Sequence, residues 1–194
     1  MMNEKELPVY AALDRMSIEY TRIEHPAAAT MEACAAIGEG TGASHCKNLF
    51  LTNRQGTAFS LVMLGSSKKF RTASVSKQLG VARLSFTTAE QLENILGLTQ
   101  GSVTVTGLLN DTMHCVRVAI DRDLLNEERI LIHPNINTAS LVVKTSDILR
   151  FLDLLGYEFT PIAVEDADAA VQSGSLCTDK PPNVFCCKKP PCRV

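Results

Sequence analysis

Three segments place polar side chains where an apolar strand is expected to continue. Lys47 lies in the apolar run 46–51, where a cation must either extend to water or meet an anion. Two glycines enclose residues 101–107, a β-rich stretch that could aim backbone N–H groups at an anion or form a bulged hairpin. His133 and the Asn residues after it follow the apolar strand 130–132 and gather several donors there, unless they form an ordinary turn. Each segment therefore has one chemical and one purely structural interpretation.

The distribution of charge is uneven along the chain. Residues 40–89 contain no Asp or Glu but carry a charge of +7, which leaves −9 on the rest of a chain whose net charge is −2. Such a block is typical of proteins that bind a polyanion, because Lys and Arg release counterions from phosphates. The alternative is a surface whose acids come from other segments of the fold. The basic residues are Lys47, Arg54, Lys68, Lys69, Arg71, Lys77 and Arg83.

Composition limits the class of protein. A chain of 194 residues with 45% hydrophobic and 21% charged residues is typical of one globular domain. The lack of Trp and the 5% aromatic content argue against an aromatic stacking surface for single-stranded nucleic acid. No apolar stretch approaches the roughly 20 residues of a membrane span. The first sixteen residues contain no signal peptide either, so we expect a cytoplasmic protein that does not bind membranes.

Periodicity predicts an α+β fold with a mixed, curved, barrel-like sheet flanked by helices. Thr88 and Gln91 form a predicted capping box, and Gly residues end several helices. The predicted helices are 4–16, a helix capped by Thr30 that runs to residue 37, 74–79, 88–96 and 146–155. The predicted strands are 18–23, 47–51, 59–64, a strand around Val103, 115–120, 130–132 and 140–143.

The seven cysteines do not form a disulfide framework, because Cys34, Cys46 and Cys115 lie far apart in apolar surroundings. The other four lie in the last eighteen residues without a Cys-x-x-Cys pair, so that spacing does not favour zinc. We expect a domain at 1–164 and a disordered Cys- and Pro-rich tail at 165–194. A cysteine nucleophile at Cys46 beside His45 is disfavoured, since neighbours on a strand point to opposite faces.

The chain resembles the YbaK/ProX superfamily of free-standing aminoacyl-tRNA deacylases, which are related to the editing domain of bacterial prolyl-tRNA synthetases. The resemblance spans roughly residues 4–163. Val105 stands where the glycine loop of the family usually has proline. The matching motifs are His25-Pro26 with Thr30, Lys47-Asn48-Leu49-Phe50-Leu51, Lys77-Gln78-Leu79-Gly80 with Leu84-Ser85-Phe86, Gly101-Ser102-Val103-Thr104 with Gly107-Leu108 and Asn110-Asp111, and His133-Pro134-Asn135 with Asn137-Thr138.

The resemblance implies hydrolysis of mischarged prolyl-tRNA in trans, with alanine as the leading amino acid and with no metal or cofactor. Lys47 and His133 are the implied catalytic residues. Lys47 would stabilise negative charge at the carbonyl or the terminal phosphate, and His133 with Asn135 would position the ribose hydroxyls or the attacking water. The implied substrate-binding residues are Thr30, Asn48, Gly101, Thr104, Gly107, Asn110, Asp111, Pro134, Asn135 and Asn137. The implied tRNA-binding residues are Lys68, Lys69, Arg71 and Lys77.

Other functions remain open at this point. A deacylase for another small amino acid, cysteine or serine, fits the same residues. A non-catalytic module that binds tRNA or associates with a synthetase would keep the basic segment and the fold without turnover. The expected partners are the acceptor end of aminoacyl-tRNA, prolyl-tRNA synthetase and a second copy of the chain as a homodimer.

Overall fold

The computed structural model describes residues 3–27, 37 and 40–166, and it confirms the α+β class. The strands are β1 (Tyr20–Glu24), β2 (Ser44–Asn53), β3 (Phe59–Gly65), β4 (Leu84–Phe86), β5 (Val116–Asp121), β6 (Arg129–Ile132), β7 (Ala139–Lys144) and β8 (Phe159–Ile162). The helices are α1 (Leu7–Arg15), α2 (Thr72–Gln78), α3 (Ala89–Leu96), α4 (Arg122–Leu125) and α5 (Thr145–Leu154), with a 3₁₀ helix at Val105–Asn110. Within these ranges the longest helix has 10 residues, too few to cross a bilayer.

The strands form one mixed eight-stranded sheet in the order β1-β7-β6-β2-β3-β5-β8, with β4 on the side of β2. The pairs β2–β6, β3–β5 and β5–β8 are parallel, and the others are antiparallel. The antiparallel β2–β3 pair joins the predicted strands 47–51 and 59–64 in a hairpin. The sheet is therefore mixed, as the periodicity predicted.

The two faces of the sheet carry different cores. The main cluster includes Phe50 of β2, Leu61 of β3 and Ile130 of β6, and it packs against α1, α3 and α5. The opposite face carries a smaller cluster with Leu51 and Val62, against which α2 packs. Because side chains alternate along a strand, the clusters assign each residue of β2 to one face.

Strand β2 changes partner along one edge. Its other edge pairs with β3 from Cys46 to Thr52. The changing edge pairs with β6 only at Ser44 and His45, and with β4 only from Leu51 to Asn53. Between these two ladders, no described strand pairs with this edge. The divergence of β6 from β2 opens the sheet beside Lys47.

The predicted strand around Val103 is wrong. Gly101 has a positive φ of 83°, and the chain then enters the 3₁₀ helix at Val105. The predicted capping box of α3 is confirmed, since Thr88 accepts from the Gln91 amide and the Gln91 side chain accepts from the Thr88 amide. The helix predicted from Thr30 lies outside the described residues. Strand β8 was not predicted, because its Pro161 is unusual within a strand. Proline is tolerated here because β8 lies at the edge of the sheet.

Two residues beyond the predicted boundary at 164 take part in the fold. The Glu165 carbonyl accepts a hydrogen bond from the Lys69 amide at 2.9 Å. Asp166 forms a β-bridge with Lys68, and its carboxylate lies 3.2 Å from the Lys68 ammonium. The folded unit therefore extends at least to Asp166.

We expect truncation after Asp166 to leave the free energy of unfolding close to that of the full chain, since the residues beyond it have the composition of a tail. Truncation after Val164 should instead cost about 1–2 kcal/mol, because it removes one backbone hydrogen bond and two partly exposed ion pairs, Lys68–Asp166 and the longer Arg71–Glu165. Urea denaturation of the three chains measures both effects. Equal stability of the two truncated chains would show that Glu165 and Asp166 do not contribute.

Candidate active site

Lys47 and His133 lie on the same face of the sheet, opposite the main core. Lys47 pairs with Leu64, which belongs to the smaller cluster. In β6, Ile130 and Ile132 belong to the main cluster, so the alternation directs His133 to the opposite face. The short parallel ladder pairs His45 with Leu131, and the same register continued would place Lys47 beside His133. The alternation thus assigns the two predicted catalytic residues to the same face, near the point where the β2–β6 ladder ends.

The Lys47 ammonium is half-buried and donates a hydrogen bond to the Lys68 carbonyl at 3.2 Å. Among the described residues, no carboxylate oxygen lies within 4.0 Å of it. An ammonium has three N–H donors, so donors remain for a further partner. A half-buried cation without a carboxylate partner is suited to binding an anion.

Lys68 has a different environment from the one its sequence context indicated. It is only 7% exposed, and its ammonium is paired with the carboxylates of Asp123 and Asp166. The hydrogen bond to Asp123 raises the pKa of Lys68 although burial opposes that effect. Lys68 is therefore a buried, paired structural cation, and we do not retain it among the tRNA-binding residues.

His133 is held by its own backbone neighbours. Its Nδ1 lies 3.0 Å from the Ala139 carbonyl, and because a carbonyl only accepts, Nδ1 carries the proton. In the neutral ring this leaves Nε2 as the acceptor. Burial lowers the pKa of His133, the Ala139 hydrogen bond opposes this, and the nearby His25 and His45 lower it further. The environment thus favours the neutral imidazole.

Two side chains that were not predicted as site residues extend the surroundings of His133: His25, whose ring lies near that of His133, and Ser140, which contacts His25. The ring of His25 is 6.2 Å from that of His133, and its Nε2 lies 2.9 Å from the Ser140 hydroxyl. The His25 Nδ1 lies 2.9 Å from the Pro26 carbonyl and must donate to it, so in the neutral ring Ser140 donates to Nε2. The His25-Pro26 motif was a sequence signal for this position, whereas nothing in the sequence pointed to Ser140.

The predicted glycine loop reaches His133 through threonine hydroxyls. Thr104 donates to the His133 carbonyl at 2.8 Å, and the Thr106 hydroxyl lies 2.9 Å from the same carbonyl. Thr106 also lies 2.8 Å from the amide oxygen of Asn135. Thr104, Thr106 and Asn135 are all buried, so this network fixes the turn after β6. Thr106 was not predicted, and its alternation with Thr104 was the available signal.

The structure also brings together Gly101 and the turn after His133. A Cβ on Gly101 would lie 3.7 Å from the side-chain nitrogen of Asn137. Asn135 has a positive φ of 62°, a conformation that Asn tolerates better than most residues. Pro134, which lies between His133 and Asn135 in the sequence, is buried. Of the predicted substrate-binding residues, Gly101, Thr104, Pro134, Asn135 and Asn137 therefore lie around His133.

Four predicted substrate-binding residues lie apart from this cluster. Asn48 points to the face opposite Lys47, and its amide oxygen is buried without a hydrogen-bond partner among the described residues. Gly107 packs so closely that a Cβ would lie 2.6 Å from Leu98. Asn110 donates to the Leu96 carbonyl at 2.7 Å. The fourth is Asp111, and the remaining predicted residue, Thr30, lies outside the described residues.

Asp111 is the clearest case of a structural role. Its buried carboxylate accepts hydrogen bonds from the amides of Cys115 and Val116 and from the Tyr157 hydroxyl at 2.9 Å. These bonds join the 3₁₀ helix to β5 and to the end of α5. Both carboxylate oxygens of Asp111 are thus used in hydrogen bonds within the protein.

Cys46 is a poor nucleophile. Burial raises the pKa of its thiol to about 11, and the thiol donates to the Leu131 carbonyl. Since the thiolate is the reactive form, the thiol is inert near neutral pH. This finding disfavours the cysteine mechanism on grounds independent of strand geometry. In the part of the chain that the structure describes, no three His, Cys, Asp or Glu side chains gather as metal ligands.

The remaining predicted tRNA-binding residues lie at the surface. Lys69, Arg71 and Lys77 are exposed, and they lie on the turn after β3 and on α2. Arg71 is 54% exposed although Glu165 lies 4.0 Å away. These residues therefore present positive charge to solvent, in contrast to Lys68.

Comparison with known proteins identifies the family. The family model of the aminoacyl-tRNA editing domain matches residues 25–151. The prolyl-tRNA editing protein ProX of Acetoanaerobium sticklandii is 32% identical over 154 residues, which cover 79% of this chain and 94% of that protein. Prolyl-tRNA synthetase associated domain-containing protein 1 of Danio rerio is 32% identical over 77% of this chain and 80% of that protein. The chain belongs to the aminoacyl-tRNA editing domain family.

The fold is also found among solved structures. A crystal structure of a protein described as a candidate trans-editing enzyme for prolyl-tRNA synthetase superposes with a TM-score of 0.65 at 19% identity. The match covers 84% of this chain and 99% of that protein. The likeness confirms the predicted fold class.

The lowered pKa of His133 predicts a pH-dependent stability. Folding favours the neutral ring, so the stabilisation is complete above the unfolded pKa of about 6.5 and is lost as the pH falls through the lower folded pKa. It amounts to about 1.4 kcal/mol per unit of pKa difference. We expect the stability advantage of the wild type over His133→Asn to shrink between about pH 7.5 and about pH 5. Urea denaturation across that range measures it, and a constant difference would contradict the assignment.

Proposed function

We propose that this protein hydrolyses the ester bond of mischarged prolyl-tRNA in trans and that alanine is the amino acid it removes. Membership of the aminoacyl-tRNA editing family and the 32% identity to a prolyl-tRNA editing protein support the reaction and the tRNA. The observation that carries the proposal is the half-buried Lys47 ammonium, which has no carboxylate partner among the described residues and lies on the same face as a neutral His133.

Lys47 supplies the positive charge of the proposed mechanism. Attack of water on the ester carbonyl creates negative charge on the carbonyl oxygen, and the adjacent nucleotide carries a phosphate. A preorganised ammonium stabilises either charge most strongly where water is partly excluded. The Lys68 carbonyl holds the ammonium in place and consumes one of its donors.

His133 and Asn135 position groups around that charge. The neutral His133 ring has an acceptor nitrogen that can hold a ribose hydroxyl or the attacking water. The buried Asn135 is locked by Thr106, so its amide is oriented without further loss of entropy. We do not assign His133 as the general base, because a ribose hydroxyl can organise the same water.

Two alternatives to this proposal are removal of a different amino acid and binding of tRNA without hydrolysis. Cysteine and serine are small enough to replace alanine, and a non-catalytic binding module would retain the basic surface. Lys47 favours the enzyme, since a binding module does not require a half-buried cation that lacks a carboxylate partner among the described residues. Association with prolyl-tRNA synthetase, a homodimer and a cytoplasmic location stay predictions.

Replacing Lys47 tests the mechanism. We expect Lys47→Met to lower kcat/KM for Ala-tRNA by about 100-fold, the effect of removing one such electrostatic contact, and to leave the fold intact because Met keeps the apolar stem. Deacylation is followed under single-turnover conditions, with the melting temperature as the control for folding. Near-normal activity in the folded variant would overturn the role of Lys47.

A panel of mischarged prolyl-tRNAs tests the substrate. We expect the order alanine, then serine, cysteine and 2-aminobutyrate, with correctly charged Pro-tRNA excluded. One methylene in a pocket is worth only about 1–3 kcal/mol, so rejection of proline must come from steric exclusion. Hydrolysis of Pro-tRNA at the rate of Ala-tRNA would refute the editing function.

Val105→Pro, measured on the same panel, tests the glycine loop. Val105 is the first residue of the 3₁₀ helix, and Thr104 before it has φ −154° and ψ 158°, which a following proline favours. Proline should therefore fit and stiffen the loop, and we expect a higher ratio of kcat/KM for alanine over serine and 2-aminobutyrate. Unchanged ratios would show that Val105 is a neutral replacement.

A further inference from the structure

An exposed aromatic pair lies inside the basic segment. Phe86 at the end of β4 is 60% exposed, and its ring meets that of Phe70 edge-on with the centroids 6.0 Å apart. Phe70 packs against the smaller cluster and is half-buried. The other large apolar residues that are strongly exposed in the described ranges are Leu7, Met113 and Leu154, and they lie on other elements. Phe86 therefore offers an aromatic face to solvent that the core does not use.

The pair is aligned with the proposed site. β4 places Phe86 beside Leu51, which belongs to the smaller cluster and thus to the same face as Lys47. Leu51 lies four positions after Lys47 in β2, a distance of about 13 Å along the strand. That distance equals a few stacked nucleotides at roughly 3.4 Å each.

Positive charge surrounds the aromatic pair. Lys69 and Arg71 flank Phe70 in the chain, and both are exposed. Arg83 near the start of β4 is exposed as well. Glu165 beside Arg71 offsets part of this charge, yet Arg71 stays 54% exposed. Aromatic faces beside cations are the combination that binds single-stranded nucleic acid, since bases stack and phosphates pair.

We propose that Phe70 and Phe86 form a stacking platform for the unpaired 3′ strand of the tRNA, with Lys69 and Arg71 on its phosphates. The inference rests on the proposed function, because the ester at the end of that strand must reach Lys47. A base stacks on the exposed Phe86 ring, which Phe70 supports from its edge. The strand then follows β2 toward Lys47.

The size of the patch favours a nucleic-acid strand over a protein partner. A stable protein interface buries about 800 Å² on each side, and an apolar area of two phenylalanine rings is far smaller. One stacked base, by contrast, needs only one ring face. The platform also lies in the segment that lacks Asp and Glu from residue 40 to residue 89.

Comparing two substrates distinguishes a role of the platform in binding from a role in the catalytic step. Ala-tRNA carries the 3′ strand, whereas the alanyl ester of adenosine has only the terminal nucleoside. We expect Phe86→Ala to lower kcat/KM for Ala-tRNA by about tenfold and to leave hydrolysis of alanyl-adenosine unchanged. Phe86→Tyr should retain activity, while Phe86→Leu should behave like Phe86→Ala. Met113→Ala, which removes a 71% exposed apolar side chain elsewhere, is the matched control.

Binding without chemistry gives the second measurement. A labelled RNA hairpin with a short unpaired 3′ strand should bind more tightly than the same hairpin with a blunt end, and Phe86→Ala should abolish that preference. Replacing Lys69 and Arg71 with Gln should weaken binding of both hairpins and flatten its salt dependence.

The outcomes are distinct. Equal losses on Ala-tRNA and alanyl-adenosine, an unchanged preference for the unpaired strand, or full activity of Phe86→Leu would each overturn the platform. The last result would indicate an apolar contact of the kind a protein partner makes. If the wild type hydrolyses no mischarged prolyl-tRNA, the proposed function fails, and the hairpin preference still decides whether the platform exists.

Discussion

The buried ammonium of Lys68 is the interaction on which the proposed site depends. A charge that is only 7% exposed requires compensation, and Asp123 and Asp166 supply it from two distant parts of the chain. The ion pairs therefore tie the turn after β3 to α4 and to the last described residue. The backbone of that same turn carries the carbonyl that holds Lys47. Loss of either carboxylate would disturb the position of the proposed catalytic cation, Lys47, as well as the fold.

The arrangement also decides which lysine stays available. Lys68 pairs with the carboxylates of Asp123 and Asp166, whereas the partner of Lys47 among the described residues is a neutral carbonyl. His133 on the same face is kept neutral by burial and by two neighbouring histidines. A cation that has no carboxylate partner among the described residues and shares a face with a neutral imidazole is suited to attract a phosphate and stabilise a developing oxyanion. A second free cation, by contrast, would hold the phosphate in the ground state as strongly as in the transition state.

Local patterns in the sequence predicted most of the fold but only part of the site. Strands β3 and β7 follow from short apolar runs, and helices α3 and α5 follow from 3.6-residue periodicity and a capping box, all of which are local. Lys68 and Lys69 are indistinguishable in sequence, and tertiary packing alone buries the first and exposes the second. The strand expected around Val103 failed for the same reason, since the loop is fixed by hydroxyl contacts to a carbonyl 29 residues away.

Average composition was equally unable to predict the aromatic surface. An aromatic content of 5% argues against a stacking surface only if the rings are spread evenly. The pairing of β4 with β2 places Phe86 next to Leu51, and the turn after β3 brings Phe70 to it. Because side chains alternate along β2, a slip of one residue in its register would move Lys47 to the face of the main cluster and Phe50 to the face of the smaller cluster. The hydrophobic core, the proposed catalytic cation and the aromatic pair are thus fixed by one register, so selection for a stable core also fixes the distance between Phe86 and Lys47.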